Sequence, residues 1–209
     1  MKLKICGMKY YDNILEVSKL EPDYMGFIFW ENSPRYFNAI IPELPLTIKK
    51  VGVFVNADLE YIISKTNHYQ LDLIQLHGQE SVSFCKALQN NGFTLIKAFS
   101  IHTDFDFNLL NDYESICDYF LFDTKGKQPG GNGIAFDWTI LNNYHLNTPF
   151  FLSGGIGLEH STTIYDFQKK LLSKNCIAID VNSKFEIQPG LKKTKELSEF
   201  KKIMHENKL

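Results

Sequence analysis

Short apolar runs rich in β-branched and aromatic residues recur along the chain about every 20–30 residues, separated by polar or amphipathic stretches. They predict strands over Leu3–Gly7, Tyr24–Phe29, Lys50–Asn56, Leu73–His77, Thr94–Phe99, Tyr119–Thr124, Phe150–Gly154 and Ile177–Asn182. Between them lie helical patterns, clearest over Asp58–Asn67, Ser81–Asn90, His160–Leu172 and Lys193–Glu206. Leu59, Ile62 and Ile63 share one helical face, as do Phe84, Ala87 and Leu88. The stretch Asn38–Ile48 is the weakest helix, because Pro42 and Pro45 each remove an amide donor and crowd the preceding turn. Eight strands alternating with helices imply a parallel sheet. An open doubly wound sheet is the rival topology. The count of eight, and polar residues on the side a barrel would enclose, favour one (β/α)8 TIM barrel over residues 1–209. Such barrels typically run to about 250 residues, so the connections here must be short.

Side chains of a barrel strand face the helices and the lumen in turn. With Leu3 and Ile5 outward, Lys4 and Cys6 point inward; with Phe120 and Phe122 outward, Asp123 points inward at the end of its strand. The same alternation turns Gln75, His77, Asp180 and Asn182 inward. Lys4 and Lys97 are read as lumenal, and since lysines are rarely buried alone they should pair with inward carboxylates such as Asp180. Polar groups thus converge on the C-terminal mouth, where barrel active sites lie.

Plainer readings stand beside these. A lone cysteine at a strand end is commonly a small buried hydrophobe, and Cys85, Cys117 and Cys176 are taken as such. Cys6 differs in ending its strand with a Cys-Gly step at the mouth, where a nearby cation such as Lys4 helps a thiolate form. Asp123 also suits a helix cap, and His77 a hydrogen-bonded mouth residue. Arg35, in Glu31-Asn32-Ser33-Pro34-Arg35-Tyr36, suits either a bidentate carboxylate clamp or a surface position. The glycine-rich stretch Lys125–Gly133 reads as a lid or an ordinary loop. Ser153-Gly154-Gly155-Ile156-Gly157 and Asp180-Val181-Asn182-Ser183 follow strands seven and eight, the loops with which barrels commonly hold phosphate. Glycines admit close backbone approach there, and free amides at a helix start attract an anion.

Composition narrows the field. The formal net charge of −2 provides no basic stripe for nucleic acid. No apolar run reaches the roughly 20 residues of a membrane span, and the N-terminus lacks a secretory signal pattern. The four cysteines are scattered without metal-ligand spacing, which fits thiols in a reducing cytoplasm and no bound metal.

The ordered motifs Lys4-Ile5-Cys6-Gly7-Met8, Gly26-Phe27-Ile28-Phe29, Ser33-Pro34-Arg35-Tyr36, Gln75-Leu76-His77-Gly78 and Phe122-Asp123-Thr124 continue to the end of the chain. There they become Gly130-Gly131-Asn132-Gly133, Phe136-Asp137-Trp138, Leu152-Ser153-Gly154-Gly155-Ile156 and Asp180-Val181-Asn182-Ser183. Together they resemble the phosphoribosylanthranilate isomerases of tryptophan biosynthesis over nearly the whole chain. The resemblance implies a cofactor-free Amadori rearrangement of a small phosphorylated substrate, N-(5-phosphoribosyl)anthranilate, in a cytoplasmic monomer or homodimer. It implies Asp123 as general acid at the furanose oxygen and Cys6 as general base at the sugar C2. Arg35 would hold the anthranilate carboxylate, Gly154, Gly155, Asn182 and Ser183 the phosphate, and His77 falls among the substrate-binding residues. An ordinary thiol is mostly protonated at neutral pH, so Cys6 is expected to have a stabilised thiolate. Departures from the family pattern include Ser153 where alanine is common, Lys184 where glycine or arginine is usual, and Lys193 where aspartate is frequent. Three rivals are weighed: a histidine-pathway isomerase performing the same rearrangement, which would use paired aspartates and end strand one in aspartate where Cys6 stands; an indoleglycerol-phosphate synthase, which would want a lysine acid and a longer N-terminal extension; and an inactive sugar-phosphate binder, which would need neither Cys6 nor Asp123.

Overall fold

The apolar runs form, in a computed structural model, eight parallel strands closed into a barrel in the order β1 to β8. The structure describes residues 1–124, 138–168 and 175–206. The strands are β1 Lys2–Ile5, β2 Tyr24–Ile28, β3 Lys49–Phe54, β4 Leu73–Leu76, β5 Leu95–Ile101, β6 Tyr119–Thr124, β7 Phe150–Ser153 and β8 Cys176–Val181. Closure is made by β1 against β8, with Lys4 opposite Asp180 and Ile5 opposite Val181.

Strand alternation divides the interior into two cores. Tyr24, Val51, Leu73, Ile96, Ala98, Leu121, Phe151 and Ala178 fill the lumen. Tyr24 meets Phe151 edge-on with ring centroids 5.1 Å apart. The larger core, between barrel and outer elements, takes the alternate residues, among them Leu3, Ile5, Leu95, Phe120, Phe122 and Ile179. With apolar residues filling the lumen, the inward polar residues Lys4, Gln75 and Asp180 are themselves buried. Burying groups of this kind is favourable only with partners in place.

The outer layer is unequal. Helix α1 (Tyr11–Ser18) follows β1, α2 (Leu59–Tyr69) follows β3 and α3 (Val82–Asn90) follows β4. Ser81 caps α3 by accepting the Phe84 amide at 3.2 Å. After β2 the proline-containing stretch crosses to β3 without a helix. A 3-10 turn and the short α4 (Asn111–Glu114) follow β5, and the 3-10 helix Trp138–Asn143 precedes β7. Helix α5 (Ser161–Gln168) follows β7, and α6 (Thr194–Glu206) lies beyond β8. The second half of the helix expected to reach Leu172, and the glycine-rich stretch Lys125–Gly133, lie outside the described residues. Among the described residues no helix is long and apolar enough to cross a membrane.

Two results differ from expectation. Lys97 does not enter the barrel: its neighbours Ile96 and Ala98 line the lumen, which turns Lys97 toward the outer layer. There its ammonium is buried against Glu80 (3.1 Å) and the Gly78 carbonyl (2.8 Å). It is paired, but with Glu80 and not with a lumenal acid. The chain after β8 also forms an unforeseen hairpin, β9 (Glu186–Gln188) and β10 (Leu191–Lys192), turned at Gly190 with φ 85°. Asn13 of α1 pins it, bonding both the amide (2.7 Å) and the carbonyl (3.0 Å) of Lys192.

Candidate active site

The mouth is assembled from strand ends. Cys6 sits one residue beyond β1, and its amide donates to the Val181 carbonyl at 2.9 Å. Two residues earlier on the same face, Lys4 places its ammonium 2.9 Å from Asp180 Oδ1. Ser153 donates to the other Asp180 oxygen at 3.1 Å, so one carboxylate ties β7, β8 and β1 together. The expected Lys4–Asp180 pair is therefore present. Burial would lower the Lys4 pKa, but Asp180 and Cys6 outweigh it, and the ammonium is held above its ordinary value. Cys6 is 4% exposed. Burial pushes its thiol up, and the opposing fields of Lys4 and Lys192 do not fully offset that. The structure thus departs from the expected stabilised thiolate: two cations favour it, but desolvation of the thiol prevails.

Asp123, near the end of β6, lies across the mouth. His77 Nε2 stands 3.6 Å from Asp123 Oδ2, an electrostatic contact too wide for a hydrogen bond. Gln75 Nε2 lies 2.8 Å from His77 Nδ1. With the amide nitrogen donating there, the ring proton sits on Nε2 and faces Asp123. His77 thus lies beside Asp123.

Arg35 arrives from the β2–β3 connection, where its amide donates to the Ser33 hydroxyl at 3.1 Å. Its guanidinium is gripped by Glu186 of the new hairpin: Nε lies 2.9 and 3.0 Å from the two carboxylate oxygens, and Nη2 2.5 Å from Oε2. Glu186 also accepts from Lys192 Nζ at 2.7 Å and from the Gly190 amide at 3.0 Å. Burial opposes ionisation of Glu186, yet Arg35 and Lys192 together hold its carboxyl below the ordinary value. For the Lys192 ammonium burial prevails over Glu186, and its pKa is lowered. Lys192 further donates to Asn182 Oδ1 at 2.7 Å, which brings the hairpin against the end of β8. Gly7 allows this convergence. Its φ is 73°, and a Cβ there would lie 2.7 Å from Arg35 Cδ and 2.8 Å from Asn182 Oδ1.

At the paired ends of β7 and β8, Gly154 and Gly155 take φ values of 114° and 65°. Among the described residues their amides make no backbone hydrogen bond. Ser183 opens a single 3-10 turn, Ser183–Phe185, one residue beyond Asn182. Unengaged amides from two adjacent loops suit a phosphate. Lys184, the departure noted above, is half-exposed and pairs with Glu159 at 3.0 Å across the same loops. Among the described residues no group of three or more His, Cys, Asp or Glu side chains is placed to hold a metal ion.

The profile of the family described as N-(5'-phosphoribosyl)anthranilate (PRA) isomerase matches residues 3–202. The chain belongs to this family. A PRA isomerase of Parabacteroides distasonis is 45% identical over 98% of this chain and 94% of its own. The crystal structure of the PRA isomerase from Thermotoga maritima superposes with a TM-score of 0.81 at 29% identity, covering 97% of this chain and 98% of that one. A PRA isomerase in complex with reduced 1-(o-carboxyphenylamino)-1-deoxyribulose 5-phosphate gives a TM-score of 0.77 at 28% identity, with 97% of each chain covered. The barrel of this chain is thus the TIM barrel of the PRA isomerases.

All the expected site residues lie at one end of the barrel, at or just beyond the ends of β1, β2, β4, β6, β7 and β8. Glu186 and Lys192 were not foreseen. Charged residues beyond the last strand read as solvated, and only the Pro189-Gly190 turn between them hinted that the chain doubles back. The motif residues Gly130–Gly133, Phe136 and Asp137 lie outside the described residues.

Proposed function

We propose that this chain isomerises N-(5-phosphoribosyl)anthranilate to 1-(2-carboxyphenylamino)-1-deoxyribulose 5-phosphate, a step of tryptophan biosynthesis. The observation that carries this is the gathering, at one end of the barrel, of the Cys6 thiol beyond β1, the Asp123 carboxyl near the end of β6, the Arg35 guanidinium, and the glycine loop after β7 with its unengaged amides. Protonated Asp123 gives its proton to the furanose ring oxygen. The C1–O bond breaks as the nitrogen lone pair forms the C1=N iminium. Cys6, as thiolate, takes the proton from C2, and the C–H electrons form the C1=C2 bond of an enolamine. Loss of the O2 proton and protonation at C1 give the aminoketose. C1 is reduced as C2 is oxidised within one molecule, so the balance requires no external oxidant or reductant.

Binding supplies orientation. Arg35 takes the aryl carboxylate, and the amides of Gly154, Gly155 and Ser183, beside Asn182, take the phosphate. A substrate fixed at both ends lies stretched between acid and base, and this fixation lowers the barrier. The four cysteines are free and buried, in keeping with a reducing cytoplasm. The test is turnover of freshly generated phosphoribosylanthranilate, followed by its loss of fluorescence, with chelator and no added nucleotide. Rapid loss is expected, and no turnover by folded protein would overturn the proposal.

A further inference from the structure

Glu186 draws two cations to one carboxylate. Arg35 presents its Nε–Nη2 edge to it, while Lys192 donates from the other side at 2.7 Å. The carboxylate is fixed from three directions, since the Gly190 amide also donates to it, and its side chain is only 4% exposed. The Arg35 side chain is 20% exposed, so the guanidinium is anchored on its inner edge and reachable elsewhere. A guanidinium offers five N–H donors in a rigid fork. With Nε and one Nη2 hydrogen committed, the two Nη1 hydrogens and the second Nη2 hydrogen remain, and one hydrogen each from Nη1 and Nη2 forms the second bidentate edge. The group of two cations and one anion also carries one uncompensated positive charge, the complement of a single carboxylate.

We propose that Glu186 is a positioning residue for substrate selection. It fixes Arg35 by one edge so that the other meets the aryl carboxylate of the substrate, and it leaves the charge that carboxylate neutralises. This rests on the isomerase assignment above and deepens it, because it makes the preference for a carboxylate-bearing arylamine a property of a relay: hairpin, Glu186, Arg35, substrate. Gly7 is part of the same device, since its missing Cβ lets the Arg35 stem pass.

The test pairs Glu186→Gln with two ligands, the reduced product analogue 1-(2-carboxyphenylamino)-1-deoxyribitol 5-phosphate and its counterpart lacking the ring carboxylate, with affinities measured by calorimetry. Loss of one charge-assisted, oriented contact should weaken the carboxylated analogue roughly 10- to 100-fold. Binding of the carboxylate-free analogue should change by less than about threefold, and in turnover KM should rise with kcat little altered. Glu186→Asp keeps the charge beside Lys192 but withdraws it from Arg35, and should give the same selectivity loss if the Gln variant folds poorly. Equal weakening of both analogues, or no weakening of either, would overturn the proposal. Wild-type protein that neither binds the analogue nor turns over the substrate would instead overturn the isomerase assignment itself.

Discussion

The Lys4–Asp180 pair offers the sharpest test of how the lumen supports the mouth. The Lys4 side chain is 0% exposed and that of Asp180 6%, with 2.9 Å between charges, so water replaces neither partner if one is removed. Lys4→Met keeps the stem's volume and deletes the ammonium. It leaves the Asp180 carboxylate with Ser153 at 3.1 Å as its remaining side-chain partner among the described residues. Removing one partner of a buried pair typically costs about 3–5 kcal/mol. At a urea slope of about 2 kcal/mol per molar, the midpoint should fall by roughly 1.5–2.5 M. Lys4→Met with Asp180→Leu removes both charges and should recover most of that loss, since an apolar replacement of a whole buried pair is often neutral. Lys4 is also the strongest of the groups that favour the Cys6 thiolate, so the single variant should move the Cys6 titration further upward. The assays are urea unfolding followed by fluorescence and the pH dependence of Cys6 alkylation read by mass spectrometry. A single variant within about 1 kcal/mol of wild type would refute the electrostatic argument, because surface pairs are worth about that much. A double variant less stable than the single would refute it equally.

In the wild-type protein without ligand, Cys6 alkylation should accelerate with pH with its midpoint above the ordinary thiol value of 9.0, because burial outweighs the two nearby ammonium groups. A midpoint below 9.0 would contradict the balance described. Gly26→Ala should cut turnover at least about tenfold at a stability cost of about 1–3 kcal/mol, because the added Cβ would stand 2.7 Å from Cys6 Sγ and 3.1 Å from Cys6 Cα. Full activity in that variant would show that the thiol's placement is not critical. Lys97→Met should destabilise by about 3–5 kcal/mol in chemical unfolding, since it strands buried Glu80, whose other donors are the Asn56 and Gly78 amides. A loss under about 1 kcal/mol would show that those amides alone satisfy the carboxylate.

The alternation of strand residues made most of this site legible, and it failed where the pattern lacked contrast. In β1, Leu3 and Ile5 flank Lys4, so the phase is unambiguous, and Lys4 does meet Asp180 in the lumen. In β5, Leu95, Ile96, Ala98 and Phe99 are apolar on both faces, so nothing in the run fixes its phase, and Lys97 was assigned to the wrong side. Helices were readable where an apolar stripe persisted and absent where Pro42 and Pro45 interrupted it. Glu186 and Lys192 were hidden for another reason. Their burial depends on a hairpin folding back against α1 through Asn13, a contact 179 residues away in sequence. Local patterning carries no trace of such a partner, and charged residues are buried only when one exists.

In the proposed mechanism Cys6 and Asp123 work as base and acid on a substrate held independently by Arg35 and the phosphate loops. Its most direct test is turnover of phosphoribosylanthranilate by Cys6→Ser and Asp123→Asn beside wild type, with affinity for the reduced product analogue measured on each variant. Turnover should drop about 10²- to 10⁴-fold in each variant while affinity stays near wild type. A variant that keeps wild-type turnover, or one that loses turnover only in proportion to lost affinity, would contradict the account.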